Sequence, residues 1–291
     1  YSNGNLNIGI RWWTLTPYSS SYVRNVYNYG DTGSSSPTFA GGVRPSINLK
    51  SSVKIVDGDG TENNPYRLEG DNDKNLSGTM LNTRYSGEYI RFGSGENNLY
   101  RIVSHENGTG TKITSAEPLK DSGIFKQVSF GDMVTFSSTN TIGTFLNGEY
   151  LTNYVGESYS NMIEDNTTWY LGTVGDGTSY ELAKYTDETG NTLTSSTATA
   201  KVGLLRLGEL MTGQFEKYYA NESTTGLTTY YWTLTPYSAF FARYVSYNGN
   251  AGYNNPTNAY GVRPSLNLKS NIVITGGEGT KNNPFTLKLA N

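Results

Sequence analysis

Asp57-Gly58-Asp59-Gly60-Thr61-Glu62 places carboxylates at alternate positions, where they could face one hard cation such as calcium. The stretch returns later in the chain as Gly276-Gly277-Glu278-Gly279-Thr280-Lys281. A lysine in place of the last carboxylate argues against a metal site and for a tight turn, ended in both places by Asn-Asn-Pro. The other acid–base candidates are isolated. His105 is the only histidine, so a histidine-based triad or metal cluster would rest on one residue. Glu164-Asp165 follows a helical stretch, where solvation explains the pair. There is no cysteine, hence no thiol nucleophile, thiolate metal site or disulfide. No glycine-rich loop leads into Lys-Ser/Thr to cradle a phosphate. Neither enzymatic chemistry nor a cofactor is expected.

The chemistry that remains is recognition. Trp13-Thr14-Leu15-Thr16-Pro17-Tyr18-Ser19 recurs as Trp232-Thr233-Leu234-Thr235-Pro236-Tyr237-Ser238, and Gly42-Val43-Arg44-Pro45-Ser46 recurs as Gly261-Val262-Arg263-Pro264-Ser265, at one constant offset. Over Trp12–Leu68 about 31 of 57 positions are identical, but only about 7 of the 22 from Ser20 to Gly41. One block varies between two near-constant walls. Its differing pairs are Ser20/Ala239, Ser21/Phe240, Tyr22/Phe241, Val23/Ala242, Asn25/Tyr244, Tyr27/Ser246, Asn28/Tyr247, Tyr29/Asn248, Asp31/Asn250, Thr32/Ala251, Ser34/Tyr253, Ser35/Asn254, Ser36/Asn255, Phe39/Asn258 and Gly41/Tyr260. Antibody paratopes use the same mix, because tyrosine buries much area with few rotors while Ser, Gly and Asn adapt their hydrogen bonds. The expected ligand-binding residues are Phe240, Phe241, Tyr244, Ser246, Tyr247, Asn248, Asn250, Tyr253, Asn254, Asn255, Asn258 and Tyr260, with Tyr22, Asn25, Tyr27 and Tyr29 in the first copy. The block is expected to be a surface loop, with its tyrosines exposed on one face and Trp232, Leu234 and Val262 buried. Tyrosines that pack on their own loop are the alternative.

Composition narrows the setting. Of the 291 residues, 16% are charged and 35% apolar, with 34 glycines and 24 tyrosines. That profile suits an extracellular, β-rich or loop-rich protein. The net charge is −3 with no cluster of Lys and Arg, which argues against a groove that tracks nucleic-acid phosphates. No apolar run approaches the ~18 residues that would span a bilayer. The chain starts at Tyr1, so a signal peptide or anchor is expected to be removed or to lie outside it.

Several elements must position the block. Glu88–Phe92 and Leu99–Val103 alternate like strands around a turn-rich Gly93–Asn98, which predicts a hairpin. Ser137–Asn140 offers N-caps to a helix whose Ile142, Phe145, Leu146 and Tyr150 share one face, weakened by Gly148. A short turn is expected over Tyr159–Ile163, a strand over Trp169–Leu171, a polar loop over Asp187–Thr199, and a strand running into a helix over Leu204–Met211. In the second copy Tyr230–Leu234, Gly261–Leu268, Asn271–Thr275 and Phe285–Leu287 read as strands, with Pro264 near the start of its strand, where a missing donor is tolerable. Arg44 and Arg263, inside apolar strands, are expected to hydrogen-bond backbone carbonyls or a carboxylate, with a ligand contact as the alternative. Arg24 and Arg243, unchanged within the varying block, read as scaffold pins or as ligand contacts.

Four motifs together, Ile-x-x-Phe-Leu-Asn (Ile142–Asn147), Leu-Leu-x-Leu-x-Glu (Leu204–Glu209), Trp-x-Leu-x-Pro (Trp232–Pro236) and Gly-Val-Arg-Pro (Gly261–Pro264), resemble the C-type-lectin-fold proteins. Nearest among these are the variable proteins of diversity-generating retroelements and a related domain of unknown function on bacterial surface and prepilin-like proteins. The resemblance covers about residues 80–275 and, in part, 8–50. It implies an α+β, C-type-lectin-like domain of short antiparallel strands, two helices and long loops, with residues 71–291 complete, including a C-terminal strand extension. Residues 1–70 would be the C-terminal part of a first domain. It also implies that the segment between the Trp strand and the Val-Arg-Pro strand faces the ligand. Retroelement mutagenesis of adenines in AAY codons cannot produce Lys, Glu, Gln, Met or Trp, and every differing residue of the block obeys that limit. Differences outside it, as at Trp12/Tyr231, Lys54/Val273 and Glu62/Lys281, do not. Programmed diversification and drift after duplication both remain open. The function expected is a non-enzymatic ligand-binding or adhesion module on a bacterial or phage surface, with a protein or glycan ligand. The rival is a structural subunit of an extracellular filament or pilus, in which homo-assembly completes residues 1–70, whose strand edges would otherwise stay open.

Overall fold

The computed structural model describes residues 11–27, 32–50, 53–57, 66–70, 76–105, 110–171, 197–212, 229–247 and 251–290. These form a mixed α+β, strand-rich protein of several small sheets with few, short helices. It folds as two compact units, the described residues up to 70 in the first and those from 76 in the second. Among the described residues, no helix is long and apolar enough to cross a membrane.

The first unit holds an antiparallel meander of β1 (Trp12–Pro17), β2 (Val23–Val26) and β3 (Thr32–Ser35), and a hairpin of β4 (Val53–Asp57) with β5 (Arg67–Gly70). The second unit contains two five-stranded sheets. One runs β14 (Val202–Leu204), β19 (Pro264–Asn267), β8 (Thr111–Ser115), β7 (Leu99–His105), β6 (Tyr89–Arg91). The other runs β11 (Gln127–Ser129), β18 (Ala259–Gly261), β15 (Tyr231–Pro236), β16 (Ala242–Val245), β17 (Ala251–Asn254). Among the described residues of this unit there are also three two-stranded ladders: β9 (Lys120–Asp121) with β10 (Ile124–Phe125), β12 (Thr167–Tyr170) with β13 (Thr197–Ala200), and β20 (Ile272–Gly276) with β21 (Thr286–Leu289).

The expected 88–103 hairpin forms as β6 and β7, Ile90 opposite Tyr100. The expected helix forms as α1 (Thr141–Asn147), where the Gly143 N–H donates to the side chain of the N-cap Asn140 at 2.9 Å. Ile142 and Leu146 on its inner face are fully buried. Gly148, expected only to weaken this helix, ends it, and a π-helical turn over Leu151–Val155 carries the chain on. Tyr150 stays in the core because its hydroxyl and that of Tyr100 on β7 hydrogen-bond each other, and burial pushes the pKa of both well above the ordinary phenol value. Two further short helices follow, α2 (Glu157–Ser160) and α3 (Leu207–Thr212). At the start of α3, Glu209 accepts from the Arg206 N–H at 2.9 Å and pairs with Lys112 of β8 at 3.0 Å, which accounts for the acid in the Leu-Leu-x-Leu-x-Glu motif.

Three expectations need correction. The stretch 187–199 is not wholly a loop: Thr197–Ala200 pairs with β12, while the rest lies outside the described residues. Gly261–Leu268 is not one strand. It leaves one large sheet after Gly261 and joins the other at Pro264, because the two residues between are held by partners distant in sequence, while Pro264 begins its new strand where a missing N–H is tolerable. Between them Val262 is fully buried and its carbonyl accepts from Leu119, while Arg263 donates Nε to Ser115 O at 2.8 Å and Nη2 to Ala116 O at 3.2 Å. Arg263 is therefore a carbonyl-bound strut in the core. Third, the varying block is not wholly a loop, since β16 and β17 fall inside it and supply two of the three strands of a meander with β15.

The turn expected at the candidate calcium stretch is seen in the second copy. Gly277 and Gly279 take φ of +88° and +71°, a region other residues resist, and Glu278 N donates to Asn283 O. Most of its first-copy counterpart, residues 58–65, lies outside the described residues.

Candidate ligand-binding surface

Cross-strand register decides which side chains of the block share a face. Tyr244 lies opposite both Trp232 and Gly252, while its neighbour Arg243 lies opposite Tyr253. Because side chains alternate along a strand, Tyr244 and Tyr253 point to opposite faces of the sheet. The block's tyrosines therefore form two clusters, not the single face expected.

The first cluster grows from Trp232, which is buried as expected, as are Leu234 and Val262. The Trp232 indole donates to Val128 O at 3.1 Å and meets Phe130 edge-on at 5.7 Å. Tyr260 lies 4.6 Å from the Trp232 ring, and Tyr230, Tyr244 and Tyr260 are mutually within 5.3 Å. Gly252 makes room, since a Cβ there would sit 2.5 Å from the Tyr244 ring. Asn254 donates its amide to the Tyr260 hydroxyl. Tyr244 and Tyr260 are thus half-buried on the core, and burial, then the neighbouring phenols, raise the Tyr244 pKa. Tyr247 reaches Tyr230 at 6.0 Å and stays exposed.

The second cluster is more open. Tyr237 and Tyr253 stack face to face at 3.7 Å and 4°. The Arg243 guanidinium lies 4.6 Å from the Tyr237 ring centre, and Phe241 flanks Tyr253 at 5.5 Å. Arg243 is buried, whereas Tyr253 is 47% and Phe240 75% exposed. The turn bearing Phe240 is tied by Tyr237 N to Phe241 O and by Phe240 N to Ser238 Oγ. Arg24 lies over Tyr18 in the same way, 4.4 Å from the ring. A flat aromatic stack backed by a buried cation, beside an exposed phenylalanine, suits the apolar face of a sugar ring or a planar side chain.

The remaining expected residues divide. Asn258 is exposed at the β17–β18 turn, and Asn255, also exposed, uses its Oδ1 to accept from Thr257. Tyr22 is exposed, and Phe241 and Asn254 are half-buried. Ser246 and Asn25 are buried, which removes them from a ligand-facing set. Asn25 donates to Ser35 Oγ at 2.7 Å in the place that Tyr244 takes in the second copy. Tyr27 is half-buried, its ring over Gly33 where Tyr244 covers Gly252, with Arg11 at 4.3 Å. Tyr29, Asn248 and Asn250 lie outside the described residues.

Two members of the clusters escaped the sequence reading. Tyr237 is identical in both copies and so looked like wall, although its ring forms half of the exposed stack. Tyr230 lies just upstream of the compared stretch, but its counterpart is Arg11, and that difference was a readable sign. His105 is structural: Nε2 bonds Arg84 O and Nδ1 bonds Thr111 Oγ1, and burial lowers its pKa from 6.5. Among the described residues, no three of His, Asp and Glu gather where they could hold a metal ion.

Residues 138–270, from the cap of α1 through β19, match the family described as a domain of unknown function (DUF6273). No curated protein and no solved structure matches the chain.

Proposed function

We propose that the chain is a non-enzymatic ligand-binding or adhesion module of C-type-lectin-like fold, displayed on a bacterial or phage surface, with the β15–β18 sheet as its binding surface. One observation carries the reading: the two copies keep the same strand register while the rings on it are exchanged. Trp12 opposite Val26 and Trp13 opposite Asn25 repeat as Tyr231 opposite Val245 and Trp232 opposite Tyr244, with the same irregularity before the proline. A scaffold that holds its hydrogen bonds while its surface changes is how recognition proteins separate stability from specificity. The open Tyr237–Tyr253 stack, with Phe240 beside it, is the part of that surface best placed to meet a protein or glycan.

A graft tests this. Residues 239–260 are replaced by residues 20–41, and parent and graft are applied to a panel of immobilised glycans and to intact cells. The graft should melt within a few degrees of the parent and retain a different set of glycans or cells. Identical binding profiles, or no retention by either, would remove the reading.

A further inference from the structure

We infer that residues 11–70 form a half-site that seats a second polypeptide frame built like residues 76–212 and carried outside residues 1–291. In the second unit, Leu234, Val262, Leu266 and Leu268 are at most 1% exposed. Their counterparts Leu15, Val43, Ile47 and Leu49 are 101%, 79%, 78% and 54% exposed. Three of these four pairs are identical residues and the fourth exchanges Ile for Leu. An apolar residue at full exposure has no reason to stay apolar while the neighbouring block changes freely, unless something covers it.

The second unit shows what the cover must present, because residues 76–212 present it to residues 229–290. Pro264–Asn267 is a strand paired with β8 on one side and β14 on the other. Pro45–Asn48, its counterpart, carries no strand pairing. Arg263 reaches two consecutive carbonyls at the end of β8, and the Ser265 hydroxyl donates to Thr114 Oγ1 at 2.9 Å. Leu234 N donates to Leu205 O, and Leu119 N donates to Val262 O. Arg44, Ser46, Leu15 and Val43 keep every one of these groups. Arg44 is exposed and lies 5.1 Å from the Trp12 ring. The occupant is therefore a polypeptide that offers two antiparallel strand edges to residues 45–48, a pair of strand-end carbonyls to Arg44 and an apolar wall to Leu15 and Val43. A second copy does not supply it, because among the described residues each copy has one such frame, already filled by residues 229–247 and 251–290.

The test supplies the frame. Residues 71–219 are fused directly ahead of residue 1 of the full chain, which reproduces the junction that leads from 219 into 220. Hydrogen exchange is followed by mass spectrometry over residues 13–17 and 43–49, with binding of an apolar-surface dye in parallel. Exchange should slow on the order of 100-fold or more in the fused chain, and dye binding should fall. The double substitution Leu15→Asp, Val43→Asp should abolish that protection in the fused chain and leave exchange in the unfused chain unchanged. A fused chain that aggregates, or whose amides at 13–17 and 43–49 exchange as fast as before, overturns the inference. So does an unfused chain that self-associates with residues 43–49 protected, because the face would then belong to a second copy.

Discussion

At the scale of single residues, the two aromatic clusters of the β15–β17 meander, one on Trp232 and one around Tyr253, differ in what they hold. Trp232 is buried, donates its indole N–H and carries Tyr260 on its face, so Trp232→Ala should cost about 3–5 kcal/mol. Tyr253 is half outside and stacks on one neighbour, so Tyr253→Ala should cost less than about 1 kcal/mol. Urea melts of the two variants measure both, and equal losses would mean that wall and surface are not separate. His105 sets a pH dependence of known sign. Its folded-state pKa is lowered by burial, so below the unfolded-state value of 6.5 the unfolded chain binds the extra proton more readily. The stability held by the neutral ring is thus present above that value and is lost as pH falls through it toward the lower folded-state value. His105→Gln, which does not titrate, should show a flatter stability profile between pH 7.5 and pH 5. An unchanged slope would place the titrating group elsewhere.

At the scale of elements, the hairpin of β6 and β7, the cap of α1 and the buried Trp-x-Leu strand were all legible, because each carries a local signal: alternation with a turn, an asparagine before an apolar face, and a proline stop. The strands inside the varying block were not. Asn, Tyr, Ser and Gly there read as loop by composition, and only the pairing of Ala242–Val245 with β15, and of Ala251–Asn254 with Ala242–Val245, makes them a sheet. The split of Gly261–Leu268 was hidden for a similar reason, since a sheet switch depends on what Arg263 and Val262 meet far away in sequence. The two-faced arrangement of the tyrosines follows from register, which a list of exposed residue types does not contain. Register also makes Gly252 a condition of the meander rather than a spacer. A Cβ there would meet the Tyr244 ring, which is itself packed against Tyr230 and Tyr260. Gly252→Ala should destabilise by about 1–3 kcal/mol, the range for overpacking, and Tyr244→Ser should recover part of that loss in the double variant. Additive losses in denaturant melts would show that the ring and the glycine are independent.

At the scale of the whole molecule, the two units differ in how much of their apolar surface they cover. The second has a continuous core, from Ile90 and Tyr100 through Ile142 and Trp169 to Leu266 and Ile274, every one at most 2% exposed. Its strands and α1 are tied by bonds that begin and end within residues 76–290, such as Asn147 Nδ2 to Val202 O and Trp232 Nε1 to Val128 O. The first has the same meander and hairpin but leaves Leu15, Val43 and Ile47 to solvent. Burial of apolar area is the main term that opposes chain entropy, so cooperativity belongs to the unit that has it. Residues 76–291 alone should therefore unfold in one transition, with a midpoint within about 2–4 °C of the intact chain's main transition, the shift that ~1 kcal/mol produces in a domain of this size. Removal of residues 1–75 should also abolish most of the apolar-dye binding of the intact chain, because the exposed leucine and valine side chains leave with them. Calorimetry and dye titration on the two chains measure both quantities. A broad or strongly lowered transition for 76–291 would mean that the first unit supports the second, and undiminished dye binding would place the open apolar surface in the second unit.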